Sequence, residues 1–199
     1  MSRVQATPLG HNWEFKARFR RSAFGWRSQP AIQRVQQAVS EIKGVARHDP
    51  VLAADGAVTF LERLSPAIEH VDSSSGAIGT AVHRAISALV PIIAGAPADP
   101  KAREGWLERL WVAHEADRIP YIESLADDWG DLCASKEVAS AWADRLVDVT
   151  RMALSPDKDL RGFFHGTSAC LSALYRAERT GRSSTSFGSR PSGPTSVGR

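Results

Sequence analysis

The chain has 199 residues, 43% of them hydrophobic and 24% charged, which suits a soluble globular protein with one sizeable core or two small ones. Its two cysteines, Cys133 and Cys170, stand 37 positions apart and can neither staple a secreted scaffold nor build a zinc ribbon, so they point to a reducing compartment. The formal net charge of +3 hides an uneven split: residues 1–27 hold six basic side chains against Glu14 alone, 28–181 hold 16 basic and 21 acidic, and 182–199 hold three arginines and no acid.

From the first residue, no apolar run follows a basic start, so no secretory signal is predicted and the protein is expected in the cytoplasm. Pro8 and Gly10 mark residues 1–12 as a flexible N-terminus. Residues 13–27 form a basic, aromatic arm in which Trp13, Phe15, Phe19, Phe24 and Trp26 interleave with cations. Guanidinium groups that neutralise phosphate and rings that stack on bases make Arg18, Arg20, Arg21, Trp26 and Arg27 candidate nucleic-acid or partner-binding residues. The same residues suit an arm folded onto the acidic body, and that docking is the favoured reading. Trp13, Phe15, Ala17 and Phe19 alternate as a strand would, but too far from any other strand to build a sheet.

Between 28 and 179 apolar residues recur at intervals of three and four, the pattern of helices with one buried face. Ser28 or Gln29 with Pro30 opens a first helix striped by Ile32, Val35, Val39 and Ile42. Asp49 and Pro50 open a second, whose stripe crosses Pro66, where a kink or break is expected. The Ser73–Gly76 cluster offers a cap to a third, with Ile78, Val82, Ala85, Leu89 and Ile92. The most apolar run in it, Ala85–Ala94, is about half the roughly 20 residues of a membrane span and contains Pro91, so a buried helix is expected and no membrane partner.

Asp99 and Pro100 begin a fourth helix bearing Trp106, Leu107, Leu110 and Trp111, and another is predicted from about Pro120 with Ile122, Leu125, Trp129 and Leu132. Ser135 caps the next, with Ala139, Trp142, Leu146, Val149 and Ala153, and a short last helix near 168–178 would bury Cys170, Leu171, Leu174 and Tyr175. The fold class is therefore all-α, built of stacked antiparallel helical hairpins, either an α-solenoid of HEAT type or an irregular helical bundle. Phe60-Leu61-Glu62-Arg63-Leu64 recurs as Trp106-Leu107-Glu108-Arg109-Leu110 at an offset of 46, inside the ~40–47 residue period of such solenoids. Any amphipathic helix favours the same wording. Residues 180–199, rich in Ser, Gly, Pro and Arg, read as a disordered tail.

Chemistry is sparse. Neither a phosphate-binding glycine loop nor a nucleophile elbow is present, and His114-Glu115 lacks a second histidine one turn on, where Arg118 stands. The six histidines share no i, i+3 or i, i+4 spacing, so neither a metal nor a cofactor is expected. Glu123, Asp127 and Asp131, at i, i+4 and i+8, would form an acidic face on one helix, suited to a cation or to acid/base work, although a plain solvated face explains them too. The loop Gly162–Ser168, with Phe163, Phe164 and His165 between glycines, could line a site or plug the core. An enzyme using Asp127, Asp131 or His165 is the least supported reading.

The segments FRRSAFGWRSQPAIQR, HVDSSSGAIGTAVHRAISALVPIIAGAPA, WLERLWVAHEADRIPYIE, WGDLCASKEVASAWADRL and GFFHGTSACLSAL together resemble a group of uncharacterised bacterial all-helical proteins, over about residues 19–177. The resemblance implies an all-helical fold and no particular activity. It also implies further helices beyond Tyr175, where this chain passes into its Ser/Gly/Pro/Arg tail. That departure is what a truncated or frame-shifted member would have, and it predicts an exposed apolar face on the last helix. Together these features predict a cytoplasmic, non-enzymatic scaffold that binds another protein, with a nucleic-acid-binding accessory protein as the alternative.

Overall fold

A computed structural model describes residues 11–157 and 164–178. The tail at 180–199, most of the N-terminal segment 1–12, and Gly162 and Phe163 of the candidate loop lie outside the described residues. Among the described residues there are eight α-helices and a 3-10 turn, with no strand, in agreement with the all-α expectation.

The arm contributes α1 (Glu14–Arg18), a single helical turn in place of the strand-like alternation. Tertiary packing overrides the period-two pattern, because Trp13, Phe15 and Phe19 all enter the core while Ala17 stays outside. Phe15 and Phe19 meet Phe60 edge-on at centroid distances of 5.5 and 5.0 Å. The long helices α2 (Ser28–Ala46) and α3 (Pro50–Ile68) follow, joined by three residues. Asp49 caps α3 by accepting from the Leu52 N–H at 2.9 Å.

Of the kink or break expected at Pro66, the break does not occur, since α3 runs on to Ile68. Pro66 lies in the last turn, where its missing N–H removes one ladder bond, to the Glu62 carbonyl, and the arm supplies donors to the carbonyls that follow. The Ser22 N–H donates to the Pro66 carbonyl at 2.8 Å and the Phe24 N–H to that of Ala67 at 3.3 Å. α3 is apolar on almost every side and is wrapped by α2, α4 (Ala77–Gly95) and α5 (Pro100–Glu115). The Ser73–Gly76 cluster supplies the start of α4 as expected: Gly76, at φ +69°, takes the cap position in a left-handed conformation that glycine adopts without strain, and the Ala77 N–H donates to Ser75 Oγ at 3.4 Å. Asp99 caps α5 through the Ala102 N–H at 2.9 Å.

The helix expected from Pro120 is broken into a 3-10 turn, Glu123–Ala126, and the short α6 (Trp129–Cys133). Leu125, Trp129 and Leu132 are buried as predicted, but they reach the core through three-residue turns while the Gly130 N–H is held by Ser172 Oγ at 2.9 Å. Ser135 caps α7 (Lys136–Ala153), and α8 (Thr167–Arg176) packs on α6 and α7. The facing surface of α8 is Ala169, Cys170 and Ala173, so Leu171 and Tyr175 turn outward, 52% and 77% exposed, contrary to the predicted burial. Val149 of α7 is likewise on the outside. Helical phase explains Leu171 and Tyr175, which lie about 100° or more around α8 from Ala169, Cys170 and Ala173, whereas Val149 shares the phase of Trp142 to about 20° and phase does not account for its exposure.

One continuous cluster runs from Trp13 to Ala173. In both copies of the 46-residue echo the apolar positions are buried, Phe60, Leu61 and Leu64 on α3 and Trp106, Leu107 and Leu110 on α5. Arg109 of the second copy clamps α5 to α3, bonding Glu62 Oε1 at 2.9 Å and Oε2 at 2.6 Å, Asp55 Oδ1 at 2.7 Å and Thr59 Oγ1 at 2.8 Å. Arg103, only 4% exposed, joins three helices: its guanidinium donates to the carbonyls of Ile93, Ala96 (2.7 Å) and Ala94 (3.4 Å) at the end of α4, and of Leu132 (3.4 Å) in α6.

Two substitutions test this architecture. Arg103→Met keeps the apolar stem and strands those carbonyls, so unfolding by urea should show a loss of about 3 kcal/mol. A methyl group on Gly56 would stand 2.2 Å from the Trp13 ring, so Gly56→Ala should displace the indole and cost about 2 kcal/mol. Because both act on one contact, Gly56→Ala combined with Trp13→Ala should cost less than the sum of the two singles in the same unfolding assay.

Candidate functional site

The arm lies on the body. Arg18 pairs with Glu14 at 3.3 Å and reaches Gln37 Oε1 at 3.5 Å, while Arg21 stands 3.7 Å from Glu69, which also accepts from Ser22 Oγ. The Glu14 N–H donates to Glu41 at 2.9 Å, and Arg63 of α3 bonds the Lys16 carbonyl at 3.2 Å. The rings that could have stacked on bases are largely spent in the core, leaving Trp26 exposed at 72%. Arg20 and Arg27 have no ion-pair partner among the described residues. The five arm residues therefore divide: Arg18 and Arg21 tie the arm down, and Arg20, Trp26 and Arg27 face solvent.

The acidic trio is exposed but shares no single helical face. Glu123 belongs to the 3-10 turn, Asp127 ends it, and Asp131 lies in α6, 3.8 Å from Arg176. Their neighbour Asp128 is partly covered, and burial first, then Asp131 and Asp127, push its carboxyl above the usual range. His165 is not gathered with this group in a shared helix surface; its ring packs edge-on against His114 at 6.4 Å.

The pairing of His114 with His165 is a feature the sequence does not reveal, since 51 positions separate them and each stands out there only singly. His114 is 4% exposed, stacked on Trp111 at 5.6 Å, and neither ring nitrogen has a hydrogen-bond partner. Burial above all, and then His165, hold its pKa below the ordinary 6.5, against the opposing pull of Asp117, Glu123 and Glu115. Asp117 accepts from Ser65 Oγ and from the Ile122 N–H at 2.7 Å, and burial pushes its carboxyl up. Cys133, buried beside Arg103, is pushed up to about 12 and is no nucleophile at neutral pH.

A groove of about 630 Å³ lies along α2 and α4. Val35, Val39, Ala81 and Ala85 are among the residues of its apolar floor, and Gln36, Ser40, Thr80, Lys43 and Arg84 stand along its rims. The local reason is composition: Ala77, Ala81, Ala85 and Ala88 place only methyl groups along one side of α4, so the two helices leave a channel between them. The sequence reading took Ala85 as part of a core stripe and overlooked this second, shallower stripe beside it. α4 as a whole, at 19 residues and mean hydropathy 1.6, is long and apolar enough to cross a bilayer, beyond the ten-residue run noticed in sequence, yet only 39% of that window is buried. The rest of its apolar surface borders the groove and solvent. A second groove of about 530 Å³ lies between α7 and α8, flanked by exposed Leu154 and Leu171.

Acid sensitivity follows from His114. A histidine held below its unfolded value stays neutral in the fold, so stability is level above about pH 6.5 and falls as the pH drops below it, where the unfolded chain takes the proton first. The raised Asp117 acts in the opposite direction and at lower pH, near the carboxylate range. The urea midpoint should therefore decline between about pH 7.5 and pH 5.5, and His114→Phe should flatten that decline.

Comparison of the chain with protein-family models, with curated proteins and with solved structures finds no match, so the functional reading stands on the residues themselves.

Proposed function

We propose that this protein is a non-enzymatic helical scaffold whose task is to bind another protein, and that the partner docks in the groove between α2 and α4. The single observation carrying the reading is that groove: an apolar floor running between two helices of one rigid core, open along its length and bordered by polar side chains. Its volume of about 630 Å³ lies in the range of recognition sites, and its open shape suits a helix laid along it better than an enclosed small molecule. The reading is preferred to nucleic-acid recognition because Trp13, Phe15 and Phe19 are committed to the core. It is preferred to catalysis because the buried groups with displaced pKa values, His114, Asp117 and Cys133, lie outside the groove lining.

Selection of helical peptides from a display library against the whole protein should return binders that lose roughly tenfold in affinity for Ala81→Trp, which fills the groove floor. The variant should keep the wild-type thermal transition, because Ala81 is only partly covered. Selections that return only binders indifferent to Ala81→Trp would overturn the proposal.

A further inference from the structure

This inference rests on the groove reading and concerns the charge of what the groove takes. Helix α4 contains no Asp or Glu, and α2 contains only Glu41. Glu41 belongs to the opposite side of α2, where it accepts from the Glu14 N–H of the arm at 2.9 Å and stands 3.5 Å from Nε2 of His11, which precedes the arm. Glu41 therefore faces away from the groove and does not offset the charge on its walls. The groove itself is bordered by Lys43 from one helix and Arg84 from the other, both exposed and neither paired with a carboxylate among the described residues. An apolar floor with unopposed cations on both walls is a complementary mould for an apolar stripe flanked by acids.

Size selects the form of the occupant. The groove lining runs from Ile32 to Lys43 on α2 and from Ala77 to Ala88 on α4, which at about 1.5 Å per residue is roughly 17 Å, or three helical turns. The methyl groups of Ala81 and Ala85 let a third backbone approach closely, and the positions i, i+3, i+4 and i+7 of an incoming helix would lie along them. We propose that the groove binds an acidic amphipathic helix of a partner protein, its apolar stripe on Val35, Val39, Ala81 and Ala85 and its carboxylates against Lys43 and Arg84.

Three fluorescein-labelled peptides of about 16 residues test this, sharing one Leu/Ala stripe and differing only in whether Glu, Gln or Lys flanks it. Anisotropy with the full chain should rank them Glu over Gln over Lys, with roughly three- to tenfold between steps, and the Glu advantage should shrink as salt rises. Lys43→Glu with Arg84→Glu should invert the order; Lys43→Gln with Arg84→Gln, a milder change on the same exposed positions, should level it. Equal binding of all three peptides, or an order that survives both double variants, overturns the acidic preference while leaving a groove for helices. Failure of every peptide to bind rejects the groove reading and this inference together. Dodecanoate that binds in the groove and excludes the Glu peptide would make it a lipid site and overturn the inference as well.

Discussion

The arrangement turns on one buried cation. Arg103 enters the core from the first turn of α5 and donates to carbonyls at the end of α4 and in α6, among them those of Ile93 and Ala96, which also accept from the Ala96 and Ala98 N–H groups. Those helix ends carry the negative pole of their backbone dipoles, so a guanidinium among them is matched electrostatically as well as by hydrogen bonds. Trp106 lies 5.2 Å below it and seals it from water. Without this group the carbonyls at the end of α4 and in α6 would lose a charged donor, and α5 would lose its tie to both helices. Arg109, one face further along α5, performs the complementary task towards α3 with side-chain acids instead of carbonyls.

The charge split between arm and body is part of the same economy. Glu41 and Glu69 of the body receive the arm, and the arm's backbone in turn satisfies the last carbonyls of α3. Surface pairs of this kind are individually weak, so the docking owes more to Trp13, Phe15 and Phe19 than to charge. Its effect on recognition is indirect. By covering one side of α2 and engaging Glu41, the arm leaves the other side of that helix apolar and basic.

Parts of the candidate site were legible in the sequence and parts were not. The amphipathic stripes, the caps at Asp49, Asp99 and Ser135, and the burial of Trp106, Trp111, Trp129 and Trp142 all follow from spacing. The acidic spacing of Glu123, Asp127 and Asp131 misled, because it assumed one unbroken helix where the chain turns twice to place Leu125 and Trp129. The groove was hidden by the ambiguity of alanine, which reads as core on either side of a helix. The approach of His114 to His165 was hidden because the two lie 51 positions apart, and neither His114-Glu115 nor the Gly162–Ser168 loop says what will cover its ring.

The all-α class, the helix starts and most buried faces were determined by the sequence itself, because these depend on groups no more than four residues apart along the chain. Three features were decided by the tertiary structure: the continuity of α3 through Pro66, the outward phase of Leu171 and Tyr175, and the open channel over Ala81 and Ala85. Each depends on which distant element arrives at a surface, the arm at the end of α3, α6 and α7 against α8, and α2 packed beside the alanines of α4. Local spacing carries no record of such arrivals, since they are set by how whole helices pack around Arg103 and the core it closes.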